Sequence, residues 1–263
     1  MSFVQLAERL KENKLKFNVI DIETKPLKSW HWGLWRQNIG INQIIEHGGL
    51  LCFAVKTIGD DETQFYSEWD LGTDKLIREA YRVVEETDVM ITYNGERFDA
   101  KKLNSYFVEH GLPKPPPYKH VDLYKENKKN FSFPSGKLDY MAQRIVDDAK
   151  TPHTGFDLWL GCMAGDSEAQ ALMERYNRQD VLLTERLYLE NLSWWHFQPN
   201  MSTFLEGREI CPKCGADAMQ ELKSGVVRTA LQEYQLYQCT ECKSYARSDT
   251  KLKDPARYRR ALT

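Results

Sequence analysis

The apolar positions of the chain repeat at helical spacing in MSFVQLAERLKENK and then switch to a strand-like run in NVIDIET, residues 18–24. GLLCFAVKTIG and ETQFYSEW read as two further strands joined by a tight GDDE turn, so a three-stranded antiparallel meander opens the chain. In TDKLIREAYRVVEETD the period becomes helical: Leu76, Ala80, Tyr81 and Val84 share a face, with Thr73 as the expected N-cap. DVMITYNG predicts a short strand stopped by Asn94 and Gly95, and ERFDAKKLNSYFVEHG a helix closed by Gly111. Beyond the proline cluster LPKPPPYK come a strand, HVDLY, and a helix through Leu138, Met141, Ala142 and Ile145. KTPHTGFDLWLGCMAGD reads as a polar loop. The last long helix starts at DSEAQ, where Ser167 and Gln170 suit a capping box, and continues through Leu172, Tyr176, Asp180, Leu183 and Leu187. Strands first, then alternating helices and strands, describe an α/β layer sandwich.

The pattern stops after NLSWWHFQPN. The expected organisation is therefore a first domain over residues 1–195, a linker over 196–207 and a small module over 208–263. Charge divides unevenly between them. Residues 207–263 hold 11 Lys and Arg against 7 Asp and Glu, or +4, which leaves 25 against 31, or −6, for residues 1–206. KLKDPARYRR concentrates the basic excess in a tail suited to a polyanion. No run of about 18 apolar residues occurs, and the amino terminus reads as an amphipathic helix instead of a signal peptide, so the expected location is cytoplasmic with no membrane partner. Four of the six cysteines form two C-x-x-C pairs, Cys211 with Cys214 and Cys239 with Cys242. Separated by 24 residues that read as a hairpin, they have the spacing of a zinc ribbon with four thiolates for one structural Zn²⁺. Arg208, Lys213, Lys223, Arg228, Lys243 and Arg247 scatter over this module with Tyr234, Tyr237 and Tyr245 between them, a mixture suited equally to single-stranded nucleic acid and to the core of a small ribbon. Cys52 and Cys162 sit in apolar sequence and read as packing thiols.

The strand NVIDIET places two carboxylates, Asp21 and Glu23, on one face while Ile20 and Ile22 take the other. Two acids side by side repel, and burial drives at least one toward its neutral form, so a cation is expected beside them. Asp99 stands at a strand-to-helix junction after YNGERF. Tyr176 and Asp180, four apart in YNRQD, share a helix face. The tryptophan-rich stretch KPLKSWHWGLWRQ follows the acidic strand; Trp30, Trp32 and Trp35 are expected to pack in the core, with base stacking as the alternative.

In order and spacing these residues resemble the three motifs of the DEDD 3′-to-5′ exonucleases, which have the ribonuclease H-like fold. Asp21 and Glu23 match Asp-x-Glu on a strand; Asn94, Phe98 and Asp99 match the Asn-x-x-x-Phe-Asp version found in family B DNA polymerases; Tyr176 and Asp180 match Tyr-x-x-x-Asp of the DEDDy branch. The resemblance spans residues 15–190 and is greatest to stand-alone exonucleases of phage and bacterial genomes. The second motif continues here as AKKL, where family B enzymes often have proline and tyrosine. The resemblance implies a mixed sheet flanked by helices and two catalytic Mg²⁺ or Mn²⁺ ions. Asp21 would bridge them, Glu23 and Asp180 would complete the nucleophile side, and Asp99 would hold the leaving-group side. Tyr176 would orient the attacking water, and Thr24, Asn94 and Phe98 would contact substrate. The implied activity is removal of nucleotides from a 3′ end, with single-stranded DNA as the expected substrate. RNA as substrate, or a non-turning-over nucleic-acid-binding adaptor, are the alternative readings.

Overall fold

The computed structural model describes residues 3–196, 198–207, 210–230 and 232–252. They fall into two compact units, Leu15–Glu190 in one, and Met1–Lys14 with Asn191–Thr263 in the other. Helical periodicity in residues 3–12 does not say which unit that helix joins; it groups with the carboxy-terminal segments. Among the described residues no helix is long and apolar enough to cross a membrane.

The chain runs through α1 (Phe3–Glu12), β1 (Phe17–Thr24), β2 (Lys28–Ser29), β3 (Ile44–Glu46), β4 (Leu50–Thr57), β5 (Gln64–Ser67), α2 (Glu68–Leu71), α3 (Thr73–Glu85) and β6 (Val89–Thr92). It continues as α4 (Asp99–Glu109), β7 (Lys119–Asp122), α5 (Leu123–Asn130), α6 (Leu138–Ile145), α7 (Phe156–Ala164) and α8 (Ser167–Glu190), and then β8 (Met219–Arg228), β9 (Glu233–Cys239) and β10 (Tyr245–Lys251).

In the larger unit, β5-β4-β1-β6-β7 form one mixed sheet. The expected meander is present: β1 pairs antiparallel with β4, and β4 with β5. Strands β6 and β7 are parallel to β1, so these three end at one edge of the sheet. Central position explains the composition of β1. Phe17, Val19, Ile20 and Ile22 are all buried, because a strand covered on both faces needs apolar side chains on both. Ile20, Ile22, Phe53 and Val55 pack with Leu76, Ile77, Ala80 and Val84 of α3 and Leu103 and Phe107 of α4. Leu51 and Cys52 pack with Leu158 and Cys162 of α7 and Met173 and Tyr176 of α8, so both cysteines are packing thiols. Each such aliphatic or aromatic side chain contributes about 1.5–3 kcal/mol by leaving water. Lys56 of β4 and Glu185 of α8 pair at 2.5 Å.

Several local expectations are corrected. Residues 156–164 form helix α7 instead of a loop; Gly155 and Gly165, both at positive φ, bound a run whose Leu158 and Cys162 lie one turn apart on its buried side. Gly72, not Thr73, takes the N-cap of α3, and Thr73 Oγ1 donates instead to Glu68 at 2.6 Å. Helix α8 is capped by Asp166, whose Oδ1 accepts from Glu168 N at 2.9 Å and Ala169 N at 3.3 Å, while Gln170 donates to Cys162 O. Trp30, Trp32 and Trp35 are 75%, 99% and 85% exposed, so they are not core residues: the β2–β3 pair carries them away from the sheet as a separate two-stranded ribbon.

The smaller unit contains α1 and a three-stranded antiparallel sheet, β10-β9-β8. Arg9 donates to Gly215 O within it, and Leu6, Leu10, Trp195, Met201 and Leu205 are buried. Arg208 and most of the basic tail, residues 253–263, lie outside the described residues.

One buried acid ties several backbone segments of the larger unit together. Asp122, at the end of β7, accepts through Oδ1 from Asn94 N (2.9 Å), Tyr124 N (3.0 Å) and Lys125 N (3.4 Å), and through Oδ2 from Glu96 N (3.2 Å). It caps α5 and anchors the loop before α4 at once. Asp122→Ala strands up to four amides, so we expect the urea midpoint of the unit to fall by the equivalent of about 2–4 kcal/mol, and Asp122→Asn to lose less. An unchanged midpoint for the alanine variant would contradict this role.

Candidate active site

Three elements converge where β1 ends. Asp21 and Glu23 project from β1 on the side of α8, opposite Ile20 and Ile22. Asn177 of α8 donates from Nδ2 to Asp21 Oδ2 at 2.6 Å and to Asp21 O at 3.2 Å, fixing the strand to the helix through the acid itself. Asp99, buried as the first residue of α4, accepts at Oδ1 from Ile22 N at 3.1 Å. Asp180 and Tyr176 are buried one turn apart on α8.

A lysine stands among them. Lys150 Nζ lies 2.5 Å from Asp180 Oδ2, donates to the Tyr176 hydroxyl at 2.9 Å and sits 4.8 Å from the centre of its ring. His153 and Trp159 pack edge-on against that ring, with centroids at 4.9 and 6.3 Å. The structure thus gathers Asp21, Glu23, Asp99, Tyr176 and Asp180. Thr24 follows Glu23, half-buried, at the end of β1; Asn94, at φ 69°, and Phe98 are exposed in the loop leading to Asp99. Lys150, Asn177 and Asp122 carry no motif signal and escape the sequence. Asn177 is adjacent to Tyr176, and Lys150 lies in an irregular stretch where no period marks a facing side.

In the smaller unit the Sγ atoms of Cys211, Cys214, Cys239 and Cys242 all lie within 4.8 Å of one another, with Cys211–Cys242 at 3.6 Å and Cys214–Cys239 at 3.7 Å. Four thiolates about 2.3 Å from a tetrahedral Zn²⁺ stand roughly 3.8 Å apart, so the set fits the ion. Both C-x-x-C turns close alike: Gly215 N donates to Cys211 O and Lys243 N to Cys239 O, with positive φ at Gly215 and Lys243. The cluster is that of a zinc ribbon.

A family model of the RNase H superfamily matches residues 45–191. The chain belongs to the RNase H superfamily. The matched stretch includes Asp99, Tyr176 and Asp180 and begins after Asp21 and Glu23. Among solved structures, the family B DNA polymerase from the hyperthermophilic archaeon Pyrobaculum calidifontis superposes with a TM-score of 0.52 at 20% identity, over 68% of this chain and 25% of the polymerase. The chain spans a quarter of that polymerase's length, and the likeness is one of fold. No curated protein matches the chain.

The electrostatics of this RNase H superfamily site follow from burying acids together. Burial pushes Asp21 well above the usual carboxylate range, and Asp180, Asp99 and Glu23 push it further. Burial and then Asp180 raise Glu23 to about 8, against the opposing pull of Lys150. Asp99 rises to about 7 by burial in spite of its bond from Ile22 N, and burial raises Asp180 although Lys150 opposes it. Burial works against the charge on Lys150, but Asp180 and Tyr176 outweigh it and hold the ammonium charged. One lysine does not neutralise four carboxylates. Asp180 Oδ1 is moreover buried without a hydrogen-bond partner, an acceptor left for a cation. Hard oxygen donors in this number suit Mg²⁺ or Mn²⁺, and Asp21, Glu23, Asp99 and Asp180 are the residues that would hold them.

The shifts set the pH dependence of folding without divalent ions. Between about pH 4, where unfolded carboxyls ionise, and pH 7–8, where Glu23 and Asp99 ionise in the fold, the native chain binds more protons than the unfolded one. Stability therefore falls as pH rises through that window. Melting in Mg²⁺- and Mn²⁺-free buffer should show a lower Tm at pH 8.5 than at pH 5.5, with a smaller drop for Asp21→Asn. An equal or larger drop in the variant would contradict the shared origin of the shifts.

Proposed function

We propose that the chain is a metal-dependent 3′-to-5′ exonuclease of the DEDDy kind, hydrolysing single-stranded DNA to nucleoside 5′-monophosphates. The observation that carries this reading is the meeting of Asp21, Glu23, Asp99 and Asp180 with the Tyr176 hydroxyl at one end of β1, from three elements in the order of the three motifs. Two divalent ions held by these carboxylates would lower the pKa of an attacking water and offset the charge on the departing 3′ oxygen. Asp21 would serve both ions, with Glu23 and Asp180 completing the nucleophile side and Asp99 the leaving-group side. Asn177 keeps Asp21 in place, and Lys150 holds the Tyr176 hydroxyl and Asp180 in register, so that the hydroxyl can orient the water. Thr24, Asn94 and Phe98 bound the position of the terminal nucleotide.

A polyanionic substrate suits the surroundings. A cavity of about 330 Å³ is lined by Arg97, Tyr124, Lys125, Lys128 and Lys129, which follow the ends of β6 and β7 at the same sheet edge as the acids. Lys128 lies 4.5 Å over the Tyr124 ring. In the zinc ribbon, Arg247 stacks at 4.0 Å on Tyr234 and Tyr245 is exposed, an aromatic and cationic surface that would help engage the strand.

The test is incubation of 5′-labelled single-stranded DNA and RNA with Mg²⁺, Mn²⁺ or EDTA. Labelled products should shorten progressively from the 3′ end of DNA, with no reaction in EDTA or with Asp21→Ala. Tyr176→Phe should slow single turnover about 10- to 100-fold, or about 1.4–2.7 kcal/mol. Parental rates for Asp21→Ala would refute the assignment, and preferential loss of RNA would move the substrate to the other nucleic acid.

A further inference from the structure

The ribbon between β1 and β4 has no part in the acid cluster, yet it is built firmly. Lys28 pairs with Glu46 and Ser29 with Ile44. Trp30 N donates to Gln43 O at 2.9 Å, Gln43 Nε2 donates to Trp30 O at 3.0 Å, and Gly40 N donates to Gln43 Oε1 at 2.7 Å. At its root Lys25 N donates to Gly49 O at 2.7 Å while Lys25 Nζ pairs with Glu68 at 2.5 Å. This well-tied segment holds Trp30, Trp32 and Trp35 almost wholly in water. Each indole offers on the order of 150–250 Å² of surface, and three exposed between Trp30 and Trp35 are more apolar area than single scattered side chains leave in water.

Charge and position say what covers it. Residues 24–49 contain Lys25, Lys28 and Arg36 against Glu46 alone, a net +2 within residues 1–206, which carry −6; Lys25 pairs with Glu68 and Lys28 with Glu46, and Arg36 directly follows Trp35. Aromatic side chains set among cations, in a stretch with one acid, have the composition of a stacking platform for single strands. The ribbon also leaves β1 directly after Glu23. Trp30 is seven residues beyond that acid, within roughly 25 Å along an extended chain, and the strand it follows ends at the sheet edge where the parallel strands deliver Asp99 and the cationic cavity.

We infer that the Trp30–Trp35 ribbon is a stacking platform for the bases of a single-stranded nucleic acid whose 3′ end enters the acid cluster; this rests on the nuclease reading for the position of that end, and on the ribbon itself for binding. Every base has a π-face, so the platform grips strands without reading sequence. It gives the enzyme its hold on the nucleotides upstream of the one removed.

Binding of labelled dT20 and rU20 to the full chain, measured by anisotropy without Mg²⁺ or Mn²⁺, tests the platform apart from catalysis. The combined variant Trp30→Ala, Trp32→Ala, Trp35→Ala should melt at the parental temperature, because the rings touch mainly water, and bind at least tenfold more weakly, about 1.4 kcal/mol. Hydrolysis of the p-nitrophenyl ester of thymidine 5′-monophosphate, which presents no upstream base, should be unchanged. Equal Kd values would overturn the platform, as would loss of ester hydrolysis in proportion to loss of binding, or a parental dimer that the variant dissolves. A parent that cleaves neither substrate but still binds through the tryptophans would sink the nuclease reading and leave the platform standing.

Discussion

Four carboxylates forced into one place, Asp99 and Asp180 buried and Asp21 and Glu23 half-buried, are the constraint on which the rest of the larger unit depends. Two unit charges about 4 Å apart at an effective dielectric of 20 repel by about 4 kcal/mol, so Asp21, Glu23, Asp99 and Asp180 cannot all ionise together without cations. In the structure Lys150 pairs with Asp180; burial first, and the neighbouring acids after it, raise the proton affinities of Asp21 and Glu23, while burial raises that of Asp99. Such a cluster lowers the stability of the fold it sits in. It persists because the sheet and helices around it are strong enough to hold it, and a divalent ion would turn that repulsion into ligand affinity.

The neighbouring architecture can be understood as what keeps the acids in place. Strand β1 is apolar on both faces and pinned by α3 and α4 on one side, so its acids cannot turn away. Asn177 binds Asp21 from α8, the Ile22 amide binds Asp99, and Asp122 anchors the loop that leads into α4. Each bond joins two elements that are remote in sequence. Packing energy from the core is thereby converted into fixed positions for groups that would otherwise move apart.

What could be read from sequence followed from periodicity. Alternation put Asp21 and Glu23 on one face, and helical spacing did the same for Tyr176 and Asp180; periodicity gave an α/β layer sandwich, and the RNase H-like fold came through the resemblance of the ordered acid motifs. Two C-x-x-C pairs announced a four-cysteine cluster by composition alone. Signals without a period were lost: Lys150 acts from a loop, and α7 was hidden because two glycines and a polar lead-in mask an apolar turn and a half. N-caps went to Gly72 and Asp166, one residue before the expected positions: Gly72 by its positive-φ backbone, and Asp166 by a carboxylate that accepts from two first-turn amides. Hydrophobicity alone predicts burial for the three tryptophans, but a two-stranded ribbon has no second layer to cover them.

The proposed exonuclease reading requires the acid cluster to bind two divalent cations, in competition with the protons its carboxylates hold more tightly than usual. Titration with Mn²⁺, following the electron paramagnetic resonance of the free ion, tests this most directly. Two ions should bind per chain at pH 8, with protons released as they enter at pH 7, and both should be lost or greatly weakened at pH 5.5 and in Asp99→Asn combined with Asp21→Asn. Mn²⁺ uptake that is absent, or that is the same in the double variant as in the parent, would contradict the account.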